Sequence, residues 1–292
     1  MGIFSGLEDI VETDYPLAKR TWYGLGGPAE YFIRPQTTEQ LKRVVQRCTE
    51  NGLRMYVMGF GSNLLIKDEG VRGAVIKLEA EPFTHIEFHG HEVTASAGAE
   101  LSKLVLTCVE KGLSGVEALT GIPGSVGGAV RMNAGGNFGD FGAVVETVTL
   151  MDKGGKVFEK RKPELVFDYR QVNITAKFIL NARLKLNAAD PEQVLRTVKE
   201  IWIYKKNSQP LNTKNAGCIF KNPAGASAGA LIDKAGLKGL RIGGAVVSDK
   251  HANFILAENG CTSRDVTSLI EIIKQKVKEQ FDVELELEIE IW

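Results

Sequence analysis

Two short glycine-bearing segments are the first places where residue types and spacing suggest chemistry. Gly59-Phe60-Gly61-Ser62-Asn63-Leu64-Leu65 follows an apolar run and sets two glycines beside a hydroxyl and an amide. Glycine lets backbone N–H groups approach an anion closely, and Ser62 and Asn63 add side-chain donors, so the segment is a candidate phosphate nest. It is not a dinucleotide fingerprint, because the third glycine is missing and the charged Lys67, Asp68 and Glu69 stand where a helix should begin. The Lys-Ser/Thr ending of a P-loop is missing too. The segment Gly121–Gly136 (GIPGSVGGAVRMNAGG) repeats the chemistry, with Ser125 and Asn133 as donors. Two nests about sixty residues apart suit a long ligand carrying two linked phosphates.

The other reactive residue types are sparse. Four cysteines form no Cys-x-x-Cys pair and four histidines form no ligand-spaced cluster, which argues against a zinc site. His89 and His91 flank a glycine and read as a polar turn between two strands. Cys48 and Cys108 fall on apolar helical stripes and read as core residues, whereas Cys218 does not. The run Val283–Ile291 alternates strictly, with Val283, Leu285, Leu287, Ile289 and Ile291 on one face and Glu284, Glu286, Glu288 and Glu290 on the other. Four like charges in a row are unfavourable on a paired strand, so at least one glutamate is expected to face a polar cavity.

The elements that must position these residues follow from periodicity. Leu41, Val44, Val45 and Cys48 predict a helix over Thr37 to Asn51, and Leu101, Leu104, Val105 and Cys108 one over Ala99 to Lys111. Strands are expected at Leu53–Met58, Val71–Leu78, Glu92–Ala97 and Phe178–Leu186, with a hairpin pairing Ala143–Met151 and Lys156–Arg161 across an Asp-Lys-Gly-Gly turn. Ten of the 32 glycines lie between Gly112 and Gly142, where average usage of about 7% would give two, and this stretch is expected to hold no packed element. Asp190-Pro191 opens a helix with Val194, Leu195, Val198, Ile201 and Trp202 on its apolar face, and that helix marks a domain boundary. Beyond it a smaller unit is expected: a strand around Cys218, a helix near Ala228 to Lys234, strands at Gly244–Ser248 and Asn253–Ala257, and a last helix. That helix starts at the capping-box-like Thr262 and Asp265 and buries Val266, Leu269, Ile270, Ile273, Val277 and Phe281. The pattern is α+β.

With 292 residues, 43% of them hydrophobic and 25% charged, the chain can bury a core, which excludes a disordered class. Basic and acidic residues balance at 36 each, so no global charge favours nucleic acid or an anionic membrane. No apolar run approaches a membrane span, and the first residues are acidic where a signal peptide would be basic. A cytoplasmic protein without membrane insertion is expected.

Taken in order, TWYGLGGPAEYF, GFGSNLLI, GIPGSVGGAVRMNAGG, FDYR, GCIFKNP, SAGALIDKAGLKG and HANFI resemble the UDP-N-acetylenolpyruvoylglucosamine reductase (MurB) family. The resemblance runs from Ala18 to Ile291, and the short length and the GGAVRMNAGG form resemble its smaller type II branch. It implies FAD held by two α+β subdomains of the vanillyl-alcohol-oxidase (PCMH) type, residues 1–80 and 81–200, and a C-terminal α+β substrate-binding domain, residues 201–292. The implied reaction passes hydride from NADPH through FAD to the enolpyruvyl C3 of a UDP-sugar, giving UDP-N-acetylmuramate for peptidoglycan. No nucleic-acid or protein partner and no metal is implied.

The resemblance also assigns residues. Gly59, Gly61, Ser62, Asn63, Leu64, Gly121, Pro123, Gly124, Ser125, Gly128 and Asn133 fall to FAD. Arg170, in FDYR, matches the arginine that clamps the substrate carboxylate, and Glu288 matches the acidic residue beside it. Cys218 stands where many members carry serine as proton donor, and a thiol, with its pKa near 8.5, gives up a proton more readily than an alcohol. Tyr169 and Asn222 match positions near the substrate diphosphate. Lys205 and Lys206 fit either added charge there or an ordinary basic helix end. Leu287 and Glu290 depart from the proline and arginine common in relatives. Two other readings remain: a flavin oxidase of the same superfold, against which GCIFKNP and HANFI argue because they lie outside the shared flavin scaffold, and a non-catalytic flavin or nucleotide-binding module.

Overall fold

The computed structural model describes residues Gly2–Trp292. The chain forms two compact units, neither of them contiguous. One comprises the residues up to Thr13, Tyr31–Gly59 and Arg72–Tyr204; the other comprises Asp14–Glu30, Phe60–Val71 and Lys205–Trp292.

The first unit is built on a five-stranded antiparallel sheet in the order Val157–Arg161, Val145–Met151, Phe178–Lys185, Glu92–Ser96, Ile86–His89. The expected hairpin is its edge, closing between Met151 and Val157, where the Asp152 carboxylate accepts from the N–H groups of Gly154 and Lys156. His89 ends one strand of the other edge hairpin, and His91 sits in its turn, as expected. The Thr38–Glu50 helix starts where Thr37 Oγ1 accepts the Gln40 N–H, and it buries Leu41, Val44, Val45 and Cys48. The Leu101–Glu110 helix buries Leu101, Leu104, Val105 and Cys108. Loss of solvent pushes both the Cys48 and Cys108 thiols up to about 12, so they are inert core groups. Met55–Met58 also runs parallel to the Val71–Lys77 strand, pairing Met55 with Ala74 and Met58 with Lys77.

The glycine-rich stretch does contain a packed element, contrary to expectation. Val126–Arg131 is a short helix burying Val126, Ala129 and Val130. Glycine lowers helix propensity, but here it permits approach: a Cβ on Gly127 would lie 2.8 Å from Ala97 Cβ. The Pro191–Ser208 helix also differs in part. Val194, Val198 and Ile201 are buried, whereas Leu195 and Trp202 are exposed.

The second unit joins a three-stranded antiparallel sheet (Arg241–Ile242, Ala245–Val247, Ile255–Ala257) to the Ala228–Lys234 and Ser263–Phe281 helices. Thr262 and Asp265 form the expected capping box: Thr262 Oγ1 accepts the Asp265 N–H and Asp265 Oδ2 accepts the Thr262 N–H. Val266, Leu269, Ile270, Ile273 and Val277 share one core with Ala245, Val247 and Ile255. Tyr23 and Leu65 belong to this core too, and the Tyr23 hydroxyl donates to the Ile255 carbonyl at 3.1 Å. The C-terminal alternation survives as burial but not as one strand. Only Glu290–Ile291 forms a ladder, parallel to Leu64–Leu65, while Leu287 makes an isolated bridge to Phe220. Among the described residues no helix is long and apolar enough to cross a membrane.

Candidate active site

The candidate residues divide between the two units. In the first, the parallel strand pair delivers the chain to Gly59, whose carbonyl accepts from Lys77 Nζ at 3.1 Å. Lys77 is mostly buried and lies 3.6 Å from the Glu79 carboxylate. A Cβ on Gly59 would sit 2.7 Å from Ser125 Oγ, so the two glycine segments meet here and meet only because Gly59 has no side chain. Gly121 and Gly124 hold positive φ, 71° and 147°, on either side of Ile122 and Pro123. The Gly124 carbonyl is fixed by the Leu101 N–H at 3.0 Å. Ser125 Oγ accepts the Gly128 N–H at 3.2 Å and so caps the Val126–Arg131 helix. This cradle fits the pyrophosphate of a flavin dinucleotide, which needs close backbone approach and a helix start free of bulk.

Asn133 is buried and adopts φ of 42°. Its Oδ1 accepts the Gly142 N–H at 2.9 Å and its Nδ2 donates to the Asp168 carbonyl at 3.0 Å. The side chain therefore ties the glycine-rich loop to the hairpin of Phe167–Asp168 and Gln171–Val172, whose turn is Tyr169-Arg170. Arg170 has φ of 56°, the left-handed region that costs a non-glycine residue roughly 1 kcal/mol. Tyr169 N–H bonds to Asp168 Oδ1 at 2.7 Å, and the Arg170 guanidinium lies 5.1 Å from the Tyr169 ring centre. The turn thus holds a cation and an aromatic ring at the hairpin tip.

In the second unit, Gly61 sits against a backbone wall: at φ of 68°, a Cβ would fall 2.2 Å from the Arg20 carbonyl oxygen. Ser62 is half-buried beside it. Asn63 Nδ2 donates to the Glu288 carbonyl at 3.1 Å, the Asn63 carbonyl accepts the Glu290 N–H at 2.9 Å, and the buried Leu64 pairs with Glu290. The Glu288 N–H in turn donates to the Ile219 carbonyl at 2.8 Å, one residue from the half-buried Cys218. The backbone at Glu288 is therefore tied both to Asn63 and to Ile219, the residue after Cys218. Among the four alternating glutamates, Glu284, Glu286 and Glu290 are exposed, and Glu284 and Glu286 face Lys278 and Lys221; Glu288 alone is half-buried. Asn222 Oδ1 accepts the Ala228 N–H at 3.0 Å at the head of the Ala228–Lys234 helix. Lys205 is buried and Lys206 exposed.

Sequence reasoning missed Lys77. A lysine closing an apolar strand carries no periodic signal, and its link to Gly59 exists only through the parallel pairing.

Residues 29–160 match the family described as FAD binding domain, and residues 209–292 that described as UDP-N-acetylenolpyruvoylglucosamine reductase, C-terminal domain. The chain is 40% identical over 279 residues to a UDP-N-acetylenolpyruvoylglucosamine reductase of Bacillus velezensis, covering 94% of this chain and 92% of that one. It is 39% identical over 295 residues to UDP-N-acetylenolpyruvoylglucosamine reductase 1 of Bacillus cereus, covering 98% of each. The crystal structure of UDP-N-acetylenolpyruvylglucosamine reductase (MurB) from Thermus caldophilus matches with a TM-score of 0.83 and 40% identity, over 97% of this chain and 98% of that one. Phl p 4.0202, a glucose dehydrogenase, shares the fold alone, over 65% of this chain and 45% of its own, with 17% identity and a TM-score of 0.51. The expected α+β architecture, a flavin-binding fold of the vanillyl-alcohol-oxidase type followed by a distinct C-terminal domain, stands.

Proposed function

Because the chain belongs to the UDP-N-acetylenolpyruvoylglucosamine reductase (MurB) family, we propose that it reduces UDP-N-acetyl-3-O-(1-carboxyvinyl)-glucosamine to UDP-N-acetylmuramate with NADPH, supplying a peptidoglycan precursor in the cytoplasm. FAD, when bound, supplies the relay that carries hydride from NADPH to the enolpyruvyl C3. One hydride and one proton add across the double bond, and NADPH leaves as NADP+.

The chain's own residues bind, orient and protonate. Gly59, Gly61, Ser62, Asn63 and Leu64 form one flavin-binding segment, and Gly121, Pro123, Gly124, Ser125, Gly128 and Asn133 form the other, with Lys77 steadying the first. Arg170 holds the substrate carboxylate, onto which negative charge moves as C3 accepts hydride. Cys218 Sγ gives its proton to C2 and recovers one from solvent. Glu288 flanks the reacting carbon, and Tyr169 and Asn222 bind the diphosphate. Flavin binding falls to residues 1–80 and 81–200, and sugar-nucleotide binding to 201–292 together with Tyr169 and Arg170.

The observation that carries this reading is the selective half-burial of Glu288, with its peptide bonded beside Cys218. In the absence of oxygen, the yellow protein should bleach with NADPH and recolour when the enolpyruvyl sugar nucleotide is added. A folded, bleached sample that stays colourless with the nucleotide would reject the reading and favour a flavin-binding module.

A further inference from the structure

Phe220 makes only an isolated bridge, to Leu287, so the segment carrying Cys218 is not held by a regular ladder on that edge. On its other edge stands Asn253. The Asn253 carbonyl accepts the Ile219 N–H at 2.8 Å. Its side chain then brackets the next residue: Oδ1 accepts the Phe220 N–H at 3.0 Å and Nδ2 donates to the Phe220 carbonyl at 2.7 Å. A side-chain amide carries the same donor and acceptor as a peptide, so Asn253 stands in for a strand at this position. Asn253 is 3% exposed and Phe220 1%, so water does not compete for these bonds. On the Leu287 edge, the Glu288 N–H donates to Ile219 and the Lys221 N–H donates to Glu286. Any slip of the Cys218 segment must therefore break a buried hydrogen bond.

Asn253 is itself anchored. Its N–H donates to His251 Nδ1 at 3.3 Å, and the His251 ring packs edge-on against Phe254, 4.9 Å between centres. Burial holds His251 below its ordinary value, which keeps the Nδ1 lone pair available.

We infer that Asn253 is a positioning residue for the proton-transfer step: its side-chain amide fixes the register of the Cys218–Phe220 segment and, through Ile219, the place of Glu288. The inference rests on the functional reading above, because it concerns how that reading's thiol and carboxylate are held.

The test uses flavin-loaded wild-type, Asn253→Asp and Asn253→Ser proteins. Asn253→Asp keeps an acceptor for Phe220 N–H but sets an oxygen against the Phe220 carbonyl. Bleaching by NADPH should stay within ~2-fold of wild type, while reoxidation by the enolpyruvyl nucleotide slows by ~100-fold, the scale of a misplaced reacting group. The loss should fall on kcat more than KM, and the solvent deuterium isotope effect on reoxidation should rise. Equal slowing of both half-reactions, or no slowing of the second, would overturn the inference. Alkylation of Cys218 by iodoacetamide, followed by peptide mass without any nucleotide, should change at least ~3-fold in Asn253→Ser, and an unchanged rate counts against it. That arm needs no turnover, so it separates failure of this inference from failure of the functional reading. If the variants do not fold, hydrogen exchange in the wild-type protein decides: the Phe220 amide should be strongly protected, and exchange at loop rates would sink the inference.

Discussion

Replacing Cys218 by alanine should leave bleaching by NADPH intact and slow recolouring by the nucleotide by at least ~100-fold, as expected for loss of a positioned acid. Stopped-flow absorbance at the flavin band separates the two steps, and Cys218→Ser should recover much of the second. Acid sensitivity is a second prediction at this scale. Burial favours neutral His251, whereas the unfolded chain takes up a proton near pH 6.5, so the unfolded state binds more protons below that value. Stability is complete above pH 6.5 and declines as pH falls towards and through the lower folded-state value. Thermal melts between about pH 7.5 and 5 should show a decline that His251→Gln lessens. Some of these residues were legible and some were not. Cys218 stood out because it lay off every apolar stripe, and strict alternation reduced the acidic candidates to one face, where burial singles out Glu288. Asn253 carried no such mark, because its partner Phe220 lies 33 positions upstream and the pairing is between a side chain and a backbone. Asn133 is legible as a polar residue of the glycine-rich loop, but its bonds to Gly142 and Asp168 reach 9 and 35 positions along the chain and carry no local signal.

At the scale of elements, legibility followed period and capping. The Thr38–Glu50 and Ser263–Phe281 helices were plain because a stripe of four or more apolar residues coincided with a capping side chain. Thr262→Ala removes one side of the capping box and should cost about 1 kcal/mol in chemical denaturation. The Val126–Arg131 helix was invisible because Gly127 and Gly128 argue locally against it; the Ser125 cap and the packing of Gly127 on Ala97 override that preference. The C-terminal run shows the reverse failure, since alternation fixed which side chains are buried but could not show that most of the segment lacks a regular partner. The first glycine loop gives the sharpest element-level test. In Gly61→Ala the new methyl meets the Arg20 carbonyl and the backbone holds positive φ, so flavin affinity should weaken by ~10-fold or more, read by fluorescence quenching during FAD titration. An unchanged affinity would show that the loop moves aside at little cost.

At the scale of the molecule, the sizeable hydrophobic fraction predicts a chain that buries a core and the order of helices and strands an α+β class, and two separate buried cores are what forms. FAD that binds only the folded state stabilises it by mass action, about 2.7 kcal/mol at a hundredfold excess over Kd. Stripping the flavin should therefore lower the melting temperature, and adding it back should restore it in proportion to log concentration. No linear cut reproduces the units. The second core draws Tyr23 and Leu65 from stretches that precede most of its own sequence, so a fragment of residues 205–292 would be born with two holes where those side chains belong. On a ribosome this core must wait for the last helix while its early contributors are already made, and engineering by swapping tail segments between relatives would have to transplant three pieces at once.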